Sequence, residues 1–322
     1  VSAGSVAGPQ GGPPGAGPLE ATAAAGTATL SARATGGGML TRPGREIPLR
    51  SRAAELWQYR HLVRSLVVRD LKVRYRSSVL GFLWSLINPL LMMAVLSLVF
   101  GVFFPNNQVR HNHVFILVAI LPWNWFSAAV AGGMMSVVAN APLINKVYFP
   151  REILPLSLVL SELVNFLFAL PVLAAIILLA GIPLTVHVLW LPLIILIQAV
   201  FTLGIVLLLA TANVYYRDTG IIMGVVLQAW FFLTPIFYDA SNYDHFAGLA
   251  ALGLSGSRLA YILNPMASLI ANYRVLLYGS PQGPPTAPDL LFLGRTALTA
   301  LVVLMVGYWF FHRHSGRFSE AV

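Results

Sequence analysis

Two long, predominantly apolar runs, Leu154 to Ala180 and Val188 to Ala212, constrain this chain more than any other feature. Each exceeds the roughly 20 residues needed to cross a hydrocarbon core of about 30 Å at about 1.5 Å per residue. In lipid the backbone must satisfy its own hydrogen bonds, so only helices or closed barrels span, and a barrel would show alternating strands of about ten residues instead. Similar runs predict six spans, at about Val79–Phe104, Val114–Ala139, Leu154–Ala180, Val188–Ala212, Gly220–Phe237 and Leu291–Phe311. Only 10% of the residues are charged, against about 25% in an ordinary soluble domain. The expected fold is an all-α polytopic membrane protein.

The flanks of these runs set an orientation. Arg42, Arg45, Arg50, Arg52, Arg60, Arg64, Arg69, Lys72, Arg74 and Arg76 precede the first span, Lys146 and Arg151 follow the second, Arg217 follows the fourth, and Arg313 and Arg317 close the chain. By the positive-inside rule these segments, and with them both termini, are cytoplasmic. The opposite side keeps Arg110, Arg258, Arg274 and Arg295. The net charge of +9 therefore gathers beside apolar spans and not on a separate polar domain, which argues against nucleic acid as a partner.

Before the first span, Ala53 to Arg76 places Leu56, Tyr59, Val63, Leu66, Val67 and Leu71 on one helical face, with Arg64, Arg69, Lys72 and Arg76 opposite. A basic amphipathic helix (51–77) lying in the membrane surface is expected. A helix packed on a partner protein is the rival. Residues 1–50 begin with a Gly, Ala, Pro, Ser and Thr tract that predicts disorder. Met39, after Gly36-Gly37-Gly38, leaves open a later start of translation. Between spans five and six, the apolar stretch Tyr261 to Leu277 is broken by Asn264-Pro265 and carries Asn272 and Arg274. It predicts a pair of short external re-entrant helices. The spanning unit then covers 78–312 and a short cytoplasmic tail 313–322.

The residues exclude several chemistries. A phosphate-cradling P-loop needs a lysine after glycine, yet Lys72 and Lys146 follow Leu71 and Asn145. No catalytic residue, bound cofactor or metal is therefore assigned to this chain. With no cysteine, disulfides and thiolate metal sites are ruled out. Glu162 lies within a span, where a carboxylate is costly; a structural and a functional role stay open. Trp84, Trp123, Trp125, Phe126, Trp230 and Phe231 lie on the spans. They could line a channel along which a glycan slides, or form an interfacial aromatic belt.

Four motifs carry a family resemblance. The run from Arg69-Asp70-Leu71-Lys72-Val73-Arg74-Tyr75-Arg76 through Gly81, Trp84 and Asn88-Pro89 closely resembles the ABC-2 permeases that export polysaccharides and polyol phosphates. Asn145 to Pro155, Tyr216-Arg217-Asp218, and Thr234 to Tyr238 with Leu263-Asn264-Pro265 are similar to further family segments, in the same order. The likeness covers about Leu56 to Phe311.

The resemblance implies a permease homodimer in the bacterial inner membrane, paired with two copies of a separate ABC ATPase that uses ATP and Mg. Its substrate would be a lipid-linked glycan such as O-antigen, teichoic acid, capsule or galactan. Lys146, Val147, Tyr148, Phe149, Pro150, Arg151 and Glu152 would dock the ATPase. Thr234, Pro235, Tyr238, Asn264, Pro265 and Arg274 would form an external gate. Arg64, Arg69, Lys72, Arg74 and Arg76, at headgroup depth, would guide an anionic lipid head or merely fix topology. An exporter of drugs or lipids, or a polytopic polyprenyl-linked glycosyltransferase, are the alternatives. The enzyme is disfavoured because the acidic residues are scattered.

Overall fold

The computed structural model describes residues 57–75, 83–100, 111–144, 146–147, 149–245, 255–280 and 283–318. The expected tail (1–50), Arg76 and Tyr148 lie outside these residues. Nine longer helices run through the described chain: α1 (Arg60–Tyr75), α2 (Leu83–Leu98), α3 (Asn112–Ala139), α4 (Ile153–Leu179), α5 (Leu191–Tyr215), α6 (Thr219–Leu233), α7 (Gly256–Leu263), α8 (Pro265–Leu277) and α9 (Leu290–Ser315). Among the described residues there is no β-strand, and one isolated bridge joins Ser280 and Gly283.

Among the described residues, four helical segments are long and apolar enough to cross a membrane: Asn112–Ala139, Ile153–Leu179, Val186–Tyr215 and Leu290–Ser315. They match expected spans two, three, four and six. The expected first and fifth spans contain shorter apolar helices, Ile87–Leu98 and Thr219–Leu233. The amphipathic helix is present as α1, and the broken apolar stretch folds as α7 and α8. Side-chain caps explain several boundaries. The Asn264 side chain accepts from the Ala267 N–H and Pro265 opens α8 without needing a donor. Asp289 accepts from the N–H groups of Leu291 and Phe292 at the start of α9.

α3 is the central element, packing against α2, α4, α5, α6 and α8. Every residue from Val114 through Trp123 is buried, so the helix is enclosed on all sides and needs no polar face. Gln198 of α5 donates to the Pro122 carbonyl of α3 over 2.8 Å, tying two buried helices. α5 makes its most extensive contact with α9. Their backbones meet at glycine, because a Cβ on Gly307 would lie 2.2 Å from the Gly204 carbonyl oxygen. Small residues permit such close approach where lipid provides no hydrophobic drive between helices.

Buried side chains form two clusters. The larger surrounds α3 and includes Tyr273 and Leu276 of α8. The smaller lies at the basic end of the bundle and combines Leu66, Val137, Ile144, Phe149, Ile153, Val214, Phe311 and Phe318.

Candidate functional site

Among the described residues, four groups of side chains hold the expected site residues. At the basic end, the chain leaves α3, makes one helical turn at Ala141–Ile144 and enters α4 through residues 146–152. Lys146 and Val147 are exposed, Val147 by 53%. Phe149 turns inward into the smaller cluster, and Pro150 and Arg151 are half-buried. Glu152 is buried and faces His312 of α9 at 3.5 Å. Of the expected docking residues, Lys146 and Val147 thus present an outer surface, while Phe149 and Glu152 join that surface to the bundle.

Phe318 was not singled out in the sequence, yet it is fully buried at this end. Its ring meets Phe311 at 5.2 Å and Tyr215 at 6.3 Å, and the Arg151 guanidinium lies 6.0 Å from it. The chain turns after α9 through Gly316 and Arg317 and brings Phe318 back onto the cluster. An isolated aromatic residue in a basic tail was the only signal in the sequence.

α1 lies against α4 and distributes its cations unevenly. Arg64 and Lys72 are exposed. Arg69 binds Asp70 at 2.9 Å and donates to Asn140 at 3.1 Å, fixing α1 to the end of α3. Arg74 reaches Glu162 on α4 with both guanidinium nitrogens, the Nη1 bond being 2.7 Å. Asn165 Nδ2 also donates to this carboxylate, at 3.2 Å. The pair is lopsided, the side chain of Arg74 being 44% exposed and that of Glu162 4%. A buried carboxylate needs such a partner, and the intraspan Glu162 thereby anchors the amphipathic helix.

The six expected channel aromatics separate into two sets. Trp123, Phe126, Trp230 and Phe231 come together: Trp123 is 5.6 Å from Phe126 and 5.7 Å from Phe231, and Phe126 is 5.1 Å from Trp230. A cavity of about 340 Å³ opens beside this set, lined by Trp123, Asn124, Ser127, Gln228 and Phe231, among others. Trp125 points elsewhere and stacks on Phe166 of α4 at 5.1 Å. Trp84, half exposed, lines a second cavity together with Trp125.

Of the expected gate residues, Thr234 and Asn264 share one hydrogen-bond network, while Tyr238 and Arg274 make separate contacts nearby. Asn264 Oδ1 accepts from Trp230 Nε1 at 2.8 Å, and its Nδ2 donates to Thr234 Oγ1 at 2.9 Å and to the Leu233 carbonyl at 3.2 Å. Thr234 Oγ1 donates in turn to the Trp230 carbonyl at 2.7 Å. Pro235 is buried beside them. Tyr238 donates to the Phe232 carbonyl at 2.9 Å and bonds the Tyr243 hydroxyl. Burial and the Tyr243 hydrogen bond raise the Tyr238 pKa. Arg274 donates to the Ile236 carbonyl at 2.6 Å and lies 3.5 Å from the centre of the Phe115 ring, a cation–π contact between α8 and α3. Burial lowers the pKa of Arg274, and Tyr261 and Asp239 nearby oppose that shift.

Among the described residues no group of three or more His, Cys, Asp or Glu side chains could hold a metal.

Residues 61–252 match the family model described as ABC-2 type transporter. The chain is 38% identical over 268 residues to the O-antigen export system permease protein RfbA of Myxococcus xanthus, covering 83% of this chain and 98% of that protein. It is 31% identical over 255 residues to the O-antigen export system permease protein RfbA of Klebsiella pneumoniae, covering 78% of this chain and 91% of that protein. The chain belongs to the ABC-2 type transporter family.

Proposed function

We propose that this chain is the membrane-spanning permease subunit of an ABC exporter that carries a lipid-linked polysaccharide, of the O-antigen kind, across a bacterial cytoplasmic membrane. A separate ATPase subunit, in two copies, uses ATP and Mg, and two copies of this chain form the path. The carrying observation is the near full-length likeness to O-antigen permeases of two different bacteria. The geometry supplies a route for the work. Lys146 and Val147 are exposed, while Phe149, two residues after Val147, is embedded in a cluster that joins α1, α3, α4, α5 and α9. A push at that loop is felt by every helix end in the cluster, since packed interiors transmit strain.

In this reading six spans place both termini in the cytoplasm, the Trp123 and Phe231 rings face the glycan, and the Asn264 network with Arg274 closes the outer exit. Lys146 to Glu152 form the ATPase contact. The exposed Arg64 and Lys72 meet lipid headgroups. The test is export in a strain lacking the chain. Surface polysaccharide should vanish and its lipid-linked form should accumulate on the cytoplasmic side. Supplying the chain with its ATPase should restore export, whereas an ATPase lacking its P-loop lysine should not. Export that survives loss of either subunit overturns the proposal.

A further inference from the structure

A second cavity, of about 150 Å³, lies off the face where Trp123 and Phe231 gather, between the end of α1 and helices α2, α3 and α4. Its wall carries the Arg74–Glu162 pair, the amides of Asn88, Asn124 and Asn165, and the rings of Trp84 and Phe166. The chemistry of that wall selects a ligand class. Glu162 would repel an anion, and its partner Arg74 already has its charge matched. Arg74 would likewise repel a cation. The carboxylate accepts hydrogen bonds, and each amide both accepts and donates. The rings add an apolar wall suited to C–H groups. The volume is several times what one water needs, which is room for a single ring.

Resting on the export reading above, we propose that this cavity is a subsite for one neutral sugar ring of the exported glycan, whose hydroxyls bond Glu162 and the three amides. Arg74 is then a positioning residue that holds the carboxylate aimed into the cavity, and is withdrawn from the set that meets the anionic lipid head.

The chain contains no cysteine, so Ala128→Cys places a lone thiol in the cavity wall. Its rate of reaction with a small methanethiosulfonate is measured in inverted vesicles holding the full chain and its ATPase. The vesicles carry glycan-bearing polyprenyl pyrophosphate, bare polyprenyl pyrophosphate, or neither. Near saturation the glycan-bearing carrier should slow labelling about tenfold, and the bare carrier should leave it unchanged. Equal protection by both carriers assigns the cavity to the headgroup and overturns the proposal, as does protection by neither. A second variant, Ala128→Leu, fills the space while keeping the Arg74–Glu162 pair. It should cut export about tenfold at normal protein level, and unchanged export overturns the proposal. Should the Leu variant fail to fold, the thiol measurement decides alone. Normal export by the unaltered chain alongside either negative result removes the cavity and leaves the exporter standing, whereas export independent of the chain removes both.

Discussion

A single amide does four jobs at Asn264. It caps α8, accepts from the Trp230 indole, and donates to Thr234 and to the Leu233 carbonyl. Asn264→Ala deletes the cap and leaves the indole N–H without that partner, a loss of about 1–3 kcal/mol. The detergent-solubilised chain should melt at a lower temperature, and Asn264→Asp, which retains the acceptor, should lose less. The Arg74–Glu162 pair gives a sharper test of the same kind. Arg74→Gln strands a buried carboxylate, but the 44% exposure of the Arg74 side chain keeps the cost below the usual 3–5 kcal/mol for breaking a buried pair, at about 1–3 kcal/mol. Adding Glu162→Gln removes the stranded charge. The double variant should therefore regain thermal stability, and a melting point no higher than that of Arg74→Gln alone would contradict the pairing.

Among the elements, α5 and α9 act as one block. Gly204 and Gly307 leave no room for a Cβ, so Gly307→Val must part the two backbones. Folded protein recovered from membranes should drop severalfold, judged by size-exclusion profile. At the basic end Phe318→Ala empties a fully buried ring; large-to-small changes of this type cost about 3–5 kcal/mol. Lower melting temperature and weakened export should appear together. How much of this was legible in the sequence follows from what each feature depends on. The extents of spans two, three, four and six were legible, because polar flanks end apolar runs; the expected Val114–Ala139 and Leu291–Phe311 became Asn112–Ala139 and Leu290–Ser315. Partners were less so. Trp123 and Trp125 stand two residues apart, about 200° around a helix, and meet different neighbours, Phe231 and Phe166. That they diverge could be read from spacing, but not which neighbour each would find. The inward turn of Phe149 and the return of Phe318 depend on how loops close over a cluster built from distant segments, and local pattern holds no record of that. The start of α8 was legible because Asn264-Pro265 is a helix-start signal.

For the whole molecule, the uneven spread of charge makes orientation measurable. Lys146 and Arg258 are both exposed and, by the positive-inside rule, lie on opposite sides. In the cysteine-free chain, Lys146→Cys should react with an impermeant maleimide only in inverted vesicles, and Arg258→Cys only in spheroplasts. Reaction of both from one side would refute the proposed topology.

One helix stands apart from the rest. Met223 is the only buried residue of α6, and Ile221, Ile222, Val225, Phe232 and Leu233 of the same helix are exposed. Trp230 and Phe231 tie one face of α6 to its own chain, and the opposite apolar face is left to meet whatever surrounds it. In the proposed dimeric exporter the unit of folding and the unit of transport would differ in size: one polypeptide specifies the block around α3, α5 and α9, and a second copy would complete the wall that α6 belongs to.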